Sequence, residues 1–126
     1  MKTVLITGGN RGIGLAATRL FLENGFRVVI VARNFADFPL PPDERLVLHP
    51  FDLTRTAEIP GLVAAIGPVD VLVNNAGVMY SLPYDAYPED KVEAMIALNI
   101  AAPVALIRET APAMIEKGGG RIVNTA

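Results

Sequence analysis

The sequence predicts an α/β fold, a doubly wound parallel sheet. Three observations predict it. Short runs of Val, Ile and Leu recur along the chain, bounded by Gly, Asn or Pro, as buried strands are. Stretches with apolar residues at helical spacing lie between most of them. A glycine-rich turn, "TGGNRGIG" (residues 7–14), sits between the first strand-like run and the first helix-like one.

"KTVLIT" (residues 2–7) is a short apolar run closed by glycine and reads as the first strand. "RGIGLAATRLFLENG" then carries Ile13, Leu15, Ala16, Leu20 and Phe21 at helical spacing, and it stops at Asn24 and Gly25. "FRVVIVAR" (residues 26–33) is the second strand. "DFPLPPD" reads as loop, because proline cannot donate to a ladder or a helix interior. A third strand is expected near residues 45–50, followed by a short helix in "TAEIPGLVAAIG", interrupted by Pro60 and Gly61. Residues 69–73 form a fourth strand that runs into the polar turn "NNAG". Pro88 suits the first helical position, and Glu89 and Asp90 suit the positive helix end. A mainly helical stretch runs from there to about Lys117, bent near Pro103 and Pro112, and "GRIVNT" is the fifth strand. Strands this uniformly apolar are covered on both faces, as in a parallel sheet. Right-handed crossovers then give a Rossmann-like sheet with strand order 3-2-1-4-5. The fifth strand would leave an open edge, prone to pairing.

The chain has 126 residues, about one domain, so a single domain over 1–126 is expected. It is 52% hydrophobic and 19% charged, which places it among globular rather than disordered chains. A net charge of −2 without a basic run argues against nucleic acid or anionic membrane as a partner. The lack of cysteine excludes a disulfide scaffold or a thiolate site, and the single histidine, His49, cannot build a His-rich metal site. No apolar run approaches the roughly 20 residues that span a bilayer, and the opening run is too short for a signal peptide core. A soluble, cytoplasmic protein is expected.

Gly8, Gly12 and Gly14 give the turn the spacing G-x-x-x-G-x-G. Glycine lets the backbone turn sharply and approach a ligand. Free amides at the following helix N-terminus favour an anion. The plain alternative is a tight strand-to-helix turn without a ligand. Here the motif follows a strand and opens a helix, which is the context it requires.

"TGGNRGIG" and the later "NNAG" (residues 74–77), in this order and separation, resemble the two signatures of the short-chain dehydrogenase/reductase family. The similarity spans the whole chain but corresponds to the amino-terminal half of a family member. The resemblance implies a dinucleotide cofactor. Gly8, Gly12, Ile13 and Gly14 would line the pyrophosphate, Asn10 in the same turn would be a further cofactor-binding residue, and Asn75, Ala76 and Gly77 would flank the ribose and the middle of the cofactor. Local chemistry offers a second account of Asn75 to Gly77, since Asn and Gly favour turns. Asp52 would bond the adenine amine with Leu53 beside the ring, although an Asp there also suits a helix cap.

An acidic residue about 20 positions after the glycine turn holds the ribose hydroxyls of NAD. This chain has Arg33 and Asn34 there, with Arg11 inside the turn. A forked guanidinium suits a phosphate. In the resembling family basic residues at these two places accompany NADP(H), so NADP(H) is favoured over NAD(H); solvated surface arginines are the alternative.

The family pattern implies hydride transfer between the cofactor and an alcohol or carbonyl substrate. Asn99 falls at helical offsets from Val92, Ile96, Ala102 and Leu106, and a polar amide on an apolar face must find a partner. The resemblance makes Asn99 the catalytic Asn that holds a water in a proton relay; the alternative is an amide that bonds nearby backbone and positions the helix. Tyr87 and Lys91 have Y-x-x-x-K spacing, but Pro88 and their place before Asn99 assign them to an exposed loop and first helical turn. Tyr80 and Tyr84 share that loop. The family's Ser would follow Asn124 by three positions, just past Ala126, and its Tyr-x-x-x-Lys pair further on. Catalysis is therefore expected to need residues outside these 126. The competing readings are a non-catalytic nucleotide-binding or interaction protein, and a homo-oligomer that covers the open edge.

Overall fold

The structure is a computed structural model and describes residues 1–125. Strands β1 (Thr3–Thr7), β2 (Arg27–Ala32), β3 (Leu46–Pro50), β4 (Val71–Asn74) and β5 (Arg121–Asn124) form one parallel sheet. Its order is β3-β2-β1-β4-β5, as the sequence predicts. Successive strand residues point to opposite faces, so the apolar runs feed two cores. Leu5, Val29, Val31 and Leu72 lie in one, with Ile59, Leu62, Leu106 and Met114 from the helices on that side. Val4, Ile6, Val28, Ile30, Val71 and Val73 lie in the other, beneath Ala17, Phe21 and Leu22.

Helix α1 (Gly12–Glu23) ends at Asn24, as expected. Gly25, at φ +82°, donates to Leu22 O, and Phe26 N–H reaches back to Phe21 O. The Phe21 and Phe26 rings meet edge to face at 4.9 Å, the apolar contact that accompanies this cap. No helix joins β2 to β3; Phe35 and Phe38, edge to face at 5.8 Å, pack against the core there. Pro60 and Gly61 do not interrupt a helix. A 3-10 turn (Thr56–Glu58) leads into α2 (Ile59–Ile66), and Pro60 sits in its first turn, where the missing N–H costs nothing. Pro88 is likewise one place earlier than expected, flanking α3 (Glu89–Ile96) rather than opening it.

The long helical stretch is interrupted once, by a π turn (Ala97–Ala101) before α4 (Ala102–Glu116). The physical cause is Pro103. It has no N–H, and in a regular helix its ring would crowd the carbonyl four residues back, that of Asn99. The chain relieves this by widening: Ala102 N–H bonds Ala97 O, five residues back. Pro112 lies inside α4, and the helix runs past it. The extra residue in the π turn also shifts the apolar stripe. Ala102, Leu106, Thr110 and Met114 are the buried row, whereas Ile96 is 51% exposed and Asn99 is exposed too.

At the amino-terminal edge of the sheet, Asp70 ties three segments. Its carboxylate accepts the Thr3 amide at 2.8 Å and the Lys117 ammonium at 2.7 Å. The Lys117 side chain, then the Thr3 amide, hold the Asp70 carboxyl below the ordinary aspartate range, against the opposing effect of burial. A lowered folded value stabilises the fold above the unfolded value, and this is lost as pH falls through the folded one. Asp70→Asn should therefore cost about 1 kcal/mol near neutral pH, allowing for the exposure of the pair. In urea denaturation the gap from the native chain should close toward strongly acidic pH.

Strand β5 is exposed along its whole length, with Ile122 at 37% and Val123 at 47%. It is the open edge the sequence predicts.

Candidate functional site

All five strands run the same way, so the segments that follow them gather at one carboxyl edge. The strand order reverses between β1 and β4, since β2 and β3 wind outward on one side of β1 and β4 and β5 on the other, and ligands of such sheets bind in the crevice outside that point.

The glycine turn is built for close approach. Gly8 and Gly12 have φ of +67° and +57°, a region that favours glycine. A Cβ at Gly14 would lie 2.1 Å from Gly8 O and 2.6 Å from Asn75 Nδ2, so the turn folds tightly on itself there. A Cβ at Gly12 would meet nothing within 4 Å. Arg11 flanks α1 without a side-chain cap, and the first turn holds no acidic residue. Leu15 N–H already bonds Arg11 O, but the amides of Gly12, Ile13 and Gly14 have no protein acceptor among the described residues. Ile13 is 72% exposed beside them. Uncapped amides, a positive helix end and open space over Gly12 fit an anion such as a pyrophosphate.

Thr7 joins this turn to the segment after β4. Its hydroxyl, in a side chain that is 2% exposed, accepts the amides of Asn75 at 3.0 Å and Ala76 at 2.9 Å and donates toward Val73 O at 3.4 Å. Asn75 Nδ2 donates in turn to Gly8 O at 3.3 Å. Thr18, fully buried on α1, places its hydroxyl 2.9 Å from Gly14 O and 3.1 Å from Gly9 O. Sequence reasoning missed both threonines as site residues. The available signals were Thr7 inside the quoted motif and a Thr four residues after Gly14, placed to bond back onto its carbonyl.

Arg11, Arg33 and Asn34 are exposed along the same edge. Asn10 Nδ2 donates to Asn34 O at 3.3 Å, which links the glycine turn to the end of β2, and Asn34 Oδ1 accepts the Ala36 amide at 3.3 Å in a local turn. Asp52 Oδ1 accepts the Thr54 hydroxyl at 2.7 Å and its amide at 3.0 Å. These two bonds, the hydroxyl first, hold the Asp52 carboxyl below the ordinary aspartate range, helped by the guanidiniums of Arg55 and Arg33. Asp52 thus stabilises its own turn, while Oδ2 has no hydrogen bond among the described residues. The Leu53 side chain, 4% exposed, belongs to the core.

Asn99 is not a buried amide seeking a partner. It is exposed, and both ends are bonded to one residue: Oδ1 accepts Val78 N–H at 2.8 Å and Nδ2 donates to Val78 O at 2.7 Å. A Cβ at Gly77 would stand 3.0 Å from Asn99 Oδ1, so glycine there admits the amide. Tyr87 donates its hydroxyl to Tyr80 O at 2.7 Å, and the Lys91 ammonium lies 4.3 Å from the Tyr80 ring centre. Tyr87 and Lys91 are thus occupied in the loop and first helical turn, as expected. Among the described residues no cluster of His, Asp or Glu could hold a metal ion, and no helix is long and apolar enough to cross a membrane.

Residues 2–126 match the family model described as short chain dehydrogenase. The chain is 33% identical to the ketoacyl reductase HetN of Nostoc sp. over 99% of its own length and 47% of that protein. It is 35% identical to a D-beta-hydroxybutyrate dehydrogenase of Rhizobium meliloti, over 99% of its length and 53% of that protein. It therefore spans about half the length of these curated relatives. A metagenomic short-chain oxidoreductase solved with NADP superposes at a TM-score of 0.85 with 36% identity, over 98% of this chain and 60% of the other. A 4-hydroxyisoleucine dehydrogenase solved with NADH superposes at 0.85 with 30% identity, over 98% and 55%. Sheet order, glycine turn and the match over residues 2–126 agree: the chain belongs to the short-chain dehydrogenase family.

Proposed function

We propose that this chain is the NADP(H)-binding half of an oxidoreductase that moves a hydride between NADP(H) and a small alcohol or carbonyl substrate. The observation that carries the proposal is the uncapped start of α1, with free amides beside the open space over Gly12. Gly8, Gly12, Ile13 and Gly14 line the pyrophosphate there. The bound nicotinamide supplies the hydride chemistry. Arg11 and Arg33, with Asn34 held by Asn10, receive the 2′-phosphate through forked donors. Asp52 offers Oδ2 to the adenine amine, and Leu53 anchors that turn in the core. Asn75, Ala76 and Gly77 flank the ribose. Asn99 holds the Val78 backbone, N–H and C=O, with its two amide ends and retains one N–H and one lone pair for a water in a proton relay.

The charge pattern at Arg33 favours NADP(H) over NAD(H), because a carboxylate there would repel the 2′-phosphate. Arg33→Asp should weaken NADPH binding about tenfold or more, on the scale of a charged hydrogen bond, and leave NADH binding equal or tighter. Parallel titrations with the two cofactors check this. An unchanged affinity ratio would remove Arg33 from the phosphate site.

A further inference from the structure

The end of β5 touches the glycine turn through one side chain. Asn75 places its carboxamide between the two. Nδ2 donates to Gly8 O at 3.3 Å and lies where a Cβ on Gly14 would come within 2.6 Å of it. At the other end Oδ1 is 3.2 Å from the Thr125 hydroxyl, a donor, which also lies 3.4 Å from Asn74 O. Thr125 is carried to this position by the ladder. Its amide donates to Asn74 O at 3.0 Å, and Asn74 Nδ2 donates to Asn124 Oδ1 at 3.0 Å. Asn74 is 4% exposed, so that amide pair sets where β5 ends. The two ends of a carboxamide differ chemically. A hydroxyl donor on the β5 side holds Oδ1 toward β5, which turns Nδ2 toward the Gly8 carbonyl.

We propose that Thr125 is a positioning residue for the glycine turn, acting through the Asn75 carboxamide; the consequence for cofactor affinity rests on the NADP(H) reading above. Thr125 fixes Asn75 at one end, and Asn75 fixes the Gly8 and Gly14 walls of the turn at the other. Coupling of this kind is reciprocal, so occupancy of the turn also steadies the end of β5.

The test compares Thr125→Val, which has the same shape without the hydroxyl, with Thr125→Ser, which restores it. The Thr125 amide bond to Asn74 survives in both, and thermal unfolding is followed to confirm that the sheet is intact. In the chain without cofactor, Thr125→Val should shift the Gly8 and Gly9 amide signals and the Asn75 side-chain signals and speed their hydrogen exchange. NADPH should bind about fivefold more weakly, the scale of one neutral hydrogen bond. Thr125→Ser should match the native chain in both readouts. Unchanged Gly8, Gly9 and Asn75 signals in Thr125→Val would overturn the proposal, and so would a Thr125→Ser that behaves like Thr125→Val. A native chain that binds no NADPH would count against the cofactor reading instead, and the cofactor-free signals would still decide the coupling.

Discussion

Gly14→Ala is expected to destabilise the fold by about 3 kcal/mol, the upper end of overpacking costs, and to abolish cofactor binding. The new Cβ would fall 2.1 Å from Gly8 O, a backbone atom fixed by the Gly8 N–H bond to Val31 O at 2.8 Å. Neither side can yield without opening the turn or moving α1 off the sheet. Gly12→Ala should behave differently. Its Cβ meets nothing within 4 Å, so the only folding cost is the φ of +57°, about 1 kcal/mol for a residue with a Cβ. The added methyl stands where the pyrophosphate is proposed to lie, so NADPH affinity should fall at least about tenfold while the fold survives. Urea denaturation and NADPH titration of the two variants separate the effects. Equal losses of stability in both would contradict the distinction between an inner and an outer glycine.

Thr7→Val should be the next most damaging change. Its hydroxyl is the acceptor for the Asn75 and Ala76 amides, and a methyl leaves both without a partner at a half-buried position. An unpaired donor costs about 1–3 kcal/mol when buried; both amides are half-buried, so the low end applies and a total of about 2 kcal/mol is expected. Thr7→Ser keeps the hydroxyl and gives up one methyl group, about 1 kcal/mol. Because the same hydroxyl positions the segment proposed to flank the ribose, Thr7→Val should also weaken NADPH binding, and Thr7→Ser should restore most of it. Denaturation curves with cofactor titrations check both. A Thr7→Val as stable as Thr7→Ser would remove Thr7 from its place as the link between β1 and the NNAG turn.

Much of this was legible in the sequence because the local signals agree. The apolar runs, the cap at Asn24 and Gly25, and the glycine turn each point to the observed element, and strand ends differ by only one or two residues. Strand order followed from reading the chain as a doubly wound sheet with right-handed crossovers. What was not legible depends on contacts between distant segments. Thr7 meets the Asn75 amide across 68 residues; its place in the glycine motif marks the turn but does not name that distant partner. Asn99 shows a subtler limit. Its offsets from Val92 and Leu106 assume an unbroken helix, but Pro103 widens the turn that contains Asn99 and rotates it away from the buried row. The proline was visible, while its consequence four residues upstream needed the helix geometry. Asp52 was balanced between a helix cap and a ligand contact; it caps no helix, since the next one starts after Arg55, and its Oδ1 serves a local turn with Thr54, while Oδ2 is the atom proposed for adenine.

The proposed role stands on binding of NADP(H) at the carboxyl edge of the sheet. Isothermal titration of the folded chain with NADPH, and in parallel with NADH, tests it most directly. Saturable binding of one NADPH per chain is expected, with weaker binding of NADH and NADPH affinity at least about tenfold lower in Gly12→Ala without unfolding. A folded chain that binds neither cofactor, or a Gly12→Ala variant that binds NADPH as the native chain does, would contradict it.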